Sequence, residues 1–243
     1  MTDKRKEIEQ FYSKKFNSKS YGRDAVYLNP DPYHYHQKII SLILGEGKGK
    51  KLKVLDVGCA SGYLGAEIKL LGHYVAGIEI APNAAEQASK VIDRVFTGDA
   101  QEIENLGIKD KFDIIICSDI LEHLFDPAAL LRKLPDYLLD GGKILVVLPN
   151  VGWYRLRLML LLGKWHYAES GILDFGHIRW FSRSSAIKIL NECGFRVEKT
   201  IPWLVYPIPL SWFDYLTGRI LSRLCFGPKT LFAQEFLYIA LPV

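Results

Sequence analysis

The chain has 243 residues, 49% of them hydrophobic and 24% charged, with 20 glycines, 11 prolines and 4 cysteines. That is ordinary globular composition for one large domain, and it excludes a disordered, collagen-like or disulfide-scaffold chain. The formal net charge of +4 is too small to argue for nucleic acid.

The charge is unevenly spread. Residues 1–53 carry a net +6, residues 54–149 a net −7 and residues 150–230 a net +6. Most of these side chains read as solvated surface. The acidic middle also suits a cationic ligand, and the basic flanks suit an anionic acceptor. Cys59, Cys117, Cys193 and Cys225 lie far apart, with no C-x-x-C pair. No metal site or disulfide framework is signalled, and a reducing, cytoplasmic setting is expected. The first residues lack the apolar stretch of a secretory signal. No run of about 18 apolar residues suggests a membrane-spanning helix. The segment Ile201 to Trp212 carries Pro202, Pro207 and Pro209, which argues against a continuous helix there.

In chain order, residues 3–17 read as a polar helix and residues 33–45 as an amphipathic one. Lys53 to Val57 is an apolar strand, Tyr63 to Leu71 a helix closed by Gly72, and His73 to Ile80 a second strand. Pro82 opens a further helix, at a position proline favours. Val91 to Phe96 and Phe112 to Cys117 read as the third and fourth strands. Pro127 to Leu139 is helical, disturbed at Pro135, and Gly141-Gly142 leads into the strand Lys143 to Leu148. After Pro149 the rhythm is lost for some thirty residues. It returns with the helix Ser184 to Cys193, the strand Phe195 to Thr200 and a last strand, Ala233 to Leu241. Strands alternating with helices indicate a parallel sheet with right-handed crossovers.

The turn Val54-Leu-Asp-Val-Gly-Cys-Ala-Ser-Gly62 lies between the first strand and its helix. Open α/β sheets bind ligands at that carboxyl end. Gly58 and Gly62 permit a tight turn without a Cβ. Ala60 and Tyr63 stand where a dinucleotide G-x-G-x-x-G needs glycine, so a pyrophosphate cradle is disfavoured. Glu79 ends the second strand, about 20 residues on, the place of an acid that accepts ribose hydroxyls. A ribose-binding acid without a pyrophosphate loop points to a nucleoside.

With Gly77-Ile-Glu-Ile80, Gly98-Asp-Ala100, the segment Phe112 to Pro127 and the segment Gly141 to Pro149, this turn resembles the class I S-adenosylmethionine-dependent methyltransferases. The motifs occur in the family's order across about residues 50–150. Ser118-Asp-Ile-Leu-Glu-His-Leu124 is most similar to the subset that includes ubiquinone-biosynthesis O-methyltransferases. The resemblance implies a three-layer, Rossmann-like, seven-stranded, mostly parallel α/β sheet with its last strand antiparallel. One domain over 1–243 is expected, with N-terminal helices at 1–50, a cofactor core at 51–150 and helical cap insertions at 150–183 and 201–231, the last standing where the family commonly has a short hairpin. Asp56, Gly58 and Gly62 would face the methionine part of S-adenosylmethionine. Glu79 would hold the ribose, Ile80 the adenine face, and Asp99 with the Ala100 backbone the adenine amino edge. Ser118 and Asp119 would lie near the sulfonium. Ala60 departs from the family's frequent glycine. Asp99 reads equally as a helix cap, and Glu122 and His123 as residues tying the loop after strand four.

Methyl transfer needs a base only where the acceptor has a proton to lose, and histidine suits neutral pH. His177, in Asp174-Phe-Gly-His-Ile-Arg-Trp180, is the first candidate catalytic residue, with Asp174 to orient it and Arg179 to bind an anionic group. His123 follows, then His166. His177 reads alternatively as part of a network that fixes its loop. His34 and His36 read as cofactor lid or as surface, and His73 as structural. The apolar and basic stretches 151–167 and 201–232 read as a packed cap, a homodimer face, or a lid for a lipid- or glycan-linked acceptor at a membrane surface. The expected reaction is methylation of a small-molecule or lipid-linked acceptor, at oxygen. The alternatives are an NAD(P)-dependent oxidoreductase and a non-catalytic nucleoside-binding module. A nucleic-acid methyltransferase is disfavoured, because no Asn-Pro-Pro-Tyr-like signature follows strand four.

Overall fold

Strands β1 (Lys53–Val57), β2 (Tyr74–Glu79), β3 (Arg94–Thr97), β4 (Phe112–Ser118), β5 (Leu138–Pro149), β6 (Phe195–Leu204) and β7 (Ala233–Pro242) form one sheet. Their spatial order is β3-β2-β1-β4-β5-β7-β6. The computed structural model describes residues 34–205 and 230–243, together with Gln10. The helix expected over 3–17 and most of the 201–231 insertion lie outside the described residues. The helices are α1 (Tyr35–Glu46), α2 (Tyr63–Leu70), α3 (Pro82–Ala88), α4 (Pro127–Lys133), α5 (Tyr154–Leu161) and α6 (Arg183–Glu192).

Pairs β1–β2, β2–β3, β1–β4 and β4–β5 are parallel, whereas β7 runs antiparallel to both β5 and β6. The chain winds outward from β1 in one direction and from β4 in the other. The switch point therefore lies between β1 and β4, where the crossover helices part and leave a crevice.

Successive strand residues point to opposite faces, and two cores result. Leu55, Val57, Ile115 and Cys117 pack into one. Val54, Ile114 and Ile116 pack with Ile39 and Ile43 of α1 into the other. Both faces are covered, which is why β1 and β4 read as unbroken apolar runs.

Several elements differ from the sequence expectation. β3 begins at Arg94 because the Val91 and Ile92 amides close onto the Ala88 carbonyl at 3.0 Å each, extending the turn after α3. β5 begins at Leu138, and its register with β4 shifts between Phe112 and Ile114. The extra residues include Gly141, at φ +75°, and Gly142, where a Cβ would meet the Leu139 carbonyl oxygen at 2.8 Å. The α4 helix stops at Lys133, and Leu134–Tyr137, with Pro135 inside, forms a separate 3-10 turn. β6 continues through Pro202 to Leu204. It is the edge strand, where a missing amide does least harm. The stretch after Pro149 contains α5, which with Ile172 and Trp153 builds a small core of its own through Leu156.

Candidate active site

β1 ends at Val57, and the chain turns back through Gly58 at φ +78° and Gly62 at φ +80°, the N-cap of α2. The Gly58 and Cys59 amides both donate to the Ile78 carbonyl, at 2.8 and 3.0 Å, so the turn is stitched to the end of β2. A Cβ on Gly58 would meet Ile120 Cδ1 at 3.0 Å, and one on Gly62 would meet the Ala88 Cα at 3.0 Å. Both glycines are thus demanded by left-handed backbone and by close protein neighbours. Ala60 sits at φ +48°, a left-handed conformation that a small residue adopts at modest cost.

Glu79 closes this turn. Its Oε2 accepts from the Ala60 amide at 2.9 Å and its Oε1 from the Ala81 amide at 2.8 Å. The Ile80 amide is a third backbone donor to this carboxylate, which leaves part of its acceptor capacity over. Burial pushes the carboxyl upward, and the Ala81 and Ala60 amides pull it partly back. Asp56, on β1 opposite Gly77, is also buried, and burial with the Glu79 charge lifts its carboxyl from 3.8 to about 7. Asp99 accepts from the Gln101 amide at 2.9 Å and caps the 3-10 turn Ala100–Leu106.

At the end of β4, Ser118 donates to Asp119 Oδ2 at 3.4 Å. Asp119 stands at φ +50° and accepts a hydrogen bond from the Tyr35 hydroxyl of α1. Burial raises the Asp119 carboxyl, against the Tyr35 and Ser118 hydrogen bonds. Glu235 of β7 was not anticipated. Its Oε2 is buried with no hydrogen-bond partner among the described residues. Burial raises its carboxyl, helped by the charges of Asp119 and Glu122. A lone acid in the apolar run from Ala233 to Leu241 was the available signal.

The expected cofactor residues on β1, β2 and β4 and on the turn after β3 all lie at the carboxyl edge of the parallel strands. His34 and His36, left between lid and surface, are buried at the start of α1. His34 Nδ1 accepts from the His36 amide at 3.2 Å and caps the helix. Burial and the neighbouring His34 lower His36 to about 3, so it is neutral near physiological pH. His73 Nδ1 accepts from the Leu52 amide at 3.3 Å, a structural role. His166 is exposed.

His177 is buried. Asp174 does not hold its Nδ1 as expected: that nitrogen meets the Ile172 carbonyl at 2.8 Å, while Asp174 Oδ1 accepts from the Gly176 amide at 2.6 Å. Arg179 donates from Nη2 to the Phe125 carbonyl at 2.6 Å, which fastens its loop to the turn after β4. The Glu122 carbonyl accepts from both Ile178 and Arg179 amides at 3.0 Å. Glu122 and His123 thus tie the two loops, as one of the readings had it, and His123 and His177 meet with ring centroids 4.6 Å apart.

The buried carboxyls of Asp56 and Glu79 lie together at the turn after β1, which has no pyrophosphate cradle, and the buried Asp119 follows the end of β4, the neighbouring strand across the switch point. Raised carboxyls of this kind are relieved by a cation and by hydroxyl donors, and an adenosyl sulfonium carries both. The residues present fit that group. Fold and site define an α/β nucleoside-binding enzyme of methyltransferase type. Residues 31–200 match the family model of a methyltransferase domain. The chain is 31% identical over 171 residues to a ubiquinone biosynthesis O-methyltransferase of Xanthomonas euvesicatoria, covering 62% of this chain and 67% of that one. It also resembles the solved magnesium protoporphyrin IX methyltransferase of Synechocystis with bound S-adenosylhomocysteine. There the TM-score is 0.63 at 16% identity, over 97% of this chain and 100% of that one. A methyltransferase from Archaeoglobus fulgidus gives a TM-score of 0.57 at 18% identity, over 84% and 93% of the two chains. At such identities the last two are likenesses of fold. The chain belongs to the methyltransferase-domain family and is a class I enzyme whose methyl donor is S-adenosylmethionine.

Proposed function

We propose that this enzyme methylates an oxygen of a small acceptor, and that the carboxyl edge of β1, β2 and β4 holds the donor as the motifs imply. The observation that carries the donor site is the buried acid cluster around the stitched glycine turn. When bound, S-adenosylmethionine supplies an activated methyl on a sulfonium, so the protein's task is alignment. Asp56, Gly58 and Gly62 border the methionine part. Glu79 offers its remaining acceptor capacity to the ribose hydroxyls. Ile80 lies against the adenine, and Asp99 with the Ala100 backbone meets its amino edge. Ser118 and Asp119 stand beside the sulfonium, where a carboxylate balances the positive charge. Oxygen as the methylated atom rests on the likeness to the ubiquinone-biosynthesis enzyme.

His177 and His123 are the proposed catalytic residues on the acceptor side. Both come from the loops after β4 and β5, at the carboxyl ends of those strands. The segment 150–183 is the cap on that side. In α5 and at its C-cap, exposed Leu158, Leu160, Leu161 and Leu162 accompany Arg155 and Arg157, which favours an acceptor met at a lipid surface.

Calorimetry with S-adenosylhomocysteine tests the donor site. Glu79→Ala should weaken binding at least about a hundredfold, roughly 3 kcal/mol. Glu79→Gln, which keeps one acceptor oxygen for the Ala60 or Ala81 amide, should fall between. Affinity unchanged in both variants refutes the ribose assignment.

A further inference from the structure

One carboxyl at this edge of the sheet has no task in the donor site. Glu235 lies on β7, opposite Pro149 of β5 and Trp203 of β6. Leu237 and Ile239 of β7 pack into the core under α1, with Val54, Ile116 and Val147. Alternation therefore turns Glu235, two residues before Leu237, to that same side. By the same count Asp56 and Ser118, two residues after Val54 and Ile116, face it too. Ser118 pairs with Val147, and Val147 with Leu237. Glu235 thus stands two residues, roughly 6–7 Å, beyond Ser118 toward the carboxyl edge, where the chain leaves β4 at Asp119.

The charges of Asp119 and Glu122 act on Glu235, and its own charge acts on Tyr35 of α1. Trp203, its neighbour across β6, has its ring 4.5 Å from that of His34 at the start of α1. In the strand order β7 lies on the far side of β4 from β1, so Glu235 flanks Asp119 away from the glycine turn. Other buried acids at this edge are hydrogen-bonded: Glu79 accepts from two amides and Asp119 from Tyr35. Glu235 Oε2 has no such donor among the described residues, an arrangement that folding alone disfavours. The residue as a whole stays partly accessible, so a ligand can reach it. The loops that carry His123 and His177 anchor in the opposite core, through Leu121, Leu124 and Phe181.

We propose that Glu235 takes the proton of the acceptor hydroxyl, while His123 and His177 hold the acceptor from the opposite side. This assignment rests on the oxygen-methylation reading above. As the acceptor oxygen bonds to the methyl carbon, the carbon–sulfur bond leaves its electron pair on sulfur, and the hydroxyl proton passes to the Glu235 carboxylate. One positive and one negative charge disappear together, leaving a methyl ether, a thioether and a neutral acid. Burial raises the Glu235 carboxyl, and the Asp119 and Glu122 charges raise it further. The Tyr35 hydroxyl does not offset this, because it donates to Asp119. A carboxylate raised in this way suits general-base work near neutral pH. Its lone pair needs no existing bond broken before it accepts a proton. The sequence concealed the role because β7 reaches the site only by inserting, antiparallel, between β5 and β6.

The test has two parts. The first is a carbon-13 NMR titration of the full chain, labelled at its glutamate carboxyls and saturated with S-adenosylhomocysteine. The signal lost in Glu235→Gln identifies the residue. Glu235 should titrate at least about one pH unit above the ordinary glutamate value of about 4.3, and a midpoint at or below that value overturns the proposal. The second part compares methyl transfer from S-adenosylmethionine to phenol and to 4-nitrophenol, read as S-adenosylhomocysteine formed. Above neutral pH 4-nitrophenol is already ionised and needs no base. Glu235→Gln should lower kcat for phenol at least about a hundredfold and that for 4-nitrophenol far less. Its affinity for S-adenosylhomocysteine should be unchanged, which shows that the variant is folded. Equal losses on the two phenols, or a change in KM alone, overturn the role as base and leave the oxygen reading standing. Transfer to benzylamine but to neither phenol overturns the oxygen reading and this assignment with it. Where no probe is methylated, the NMR midpoint decides. A wild type that does not bind S-adenosylhomocysteine overturns the donor reading and what rests on it.

Discussion

Asp56 lies on the strand beside β2, whose last residue is Glu79, and the two buried carboxyls repel. Its carboxyl, lifted from 3.8 to about 7, makes the stability of the ligand-free protein depend on pH with a definite sign. Between those values the unfolded chain has lost this proton and the folded chain still holds it. Stability is therefore full below about 4, falls as pH rises toward 7, and stays at the lower level above it. At about 1.4 kcal/mol per pH unit, the contribution of this residue is of the order of 4 kcal/mol. Urea denaturation between pH 4.5 and 8 should show the decline, and Asp56→Asn should flatten it. A wild-type profile that rises toward pH 7 with the same slope as the variant refutes the assignment. The same cluster makes a second prediction. A sulfonium entering beside raised carboxyls lowers them and drives protons off. Calorimetry of S-adenosylmethionine binding at pH 6.5, in buffers of different ionisation enthalpy, should report proton release. S-adenosylhomocysteine, with a neutral sulfur, should release fewer. Equal release for both would place the acids away from the sulfur.

The turn after β1 depends on one tight contact across the sheet face. A Cβ on Gly77 of β2 would come within 2.5 Å of Cys59 Sγ and 2.9 Å of Ile92 Cδ1. Gly77→Ala should therefore destabilise the protein by about 1–3 kcal/mol, the usual cost of overpacking. Cys59→Ala removes the nearer obstacle. In the double variant much of the loss should return, a coupling well above the ~0.5 kcal/mol expected of independent sites. Strict additivity in denaturation experiments would show that Ile92, not Cys59, sets the limit. This contact also marks where sequence reading stops. β1, β2 and β4 were legible because apolar runs bounded by glycine have few other meanings, and Glu79 because its distance from Gly58 follows from one strand–helix–strand unit. The α5 helix was not legible. It is apolar on several sides, buries only Leu156 and has no side-chain N-cap at Trp153, so it lacks both the periodicity and the start signal. The tie from Tyr35 to Asp119 and the approach of Glu235 to Asp119 join distant parts of the chain. Such contacts are set by the order of strands in the sheet, and no local pattern encodes them.

The net charge of +4 averages two environments that the fold separates. The acidic middle of the sequence supplies Asp56, Glu79, Asp119 and Glu122 at the carboxyl edge. The following basic segment supplies α5, where Leu161 is 82% exposed, Leu158 53% and Leu160 51%, with the C-cap Leu162 60% exposed. Arg155 and Arg157 lie on the same helix and Lys164 follows it, all exposed. Exposed apolar and basic side chains together on one element match an anionic bilayer, where leucines enter the acyl boundary and arginines meet headgroups. Among the described residues no helix is long and apolar enough to cross a membrane. The full chain should float with vesicles containing anionic lipid and remain behind with zwitterionic ones, and added salt should weaken flotation. Leu161→Asp combined with Leu162→Asp should abolish it, because two carboxylates repel the headgroups and cannot enter the acyl region. Those leucines are exposed in the folded protein, so the substitutions should leave the urea midpoint unchanged within about 0.5 kcal/mol. If the wild type fails to float with anionic vesicles, α5 is not a lipid contact. A shifted urea midpoint in the double variant would show instead that these leucines pack within the protein.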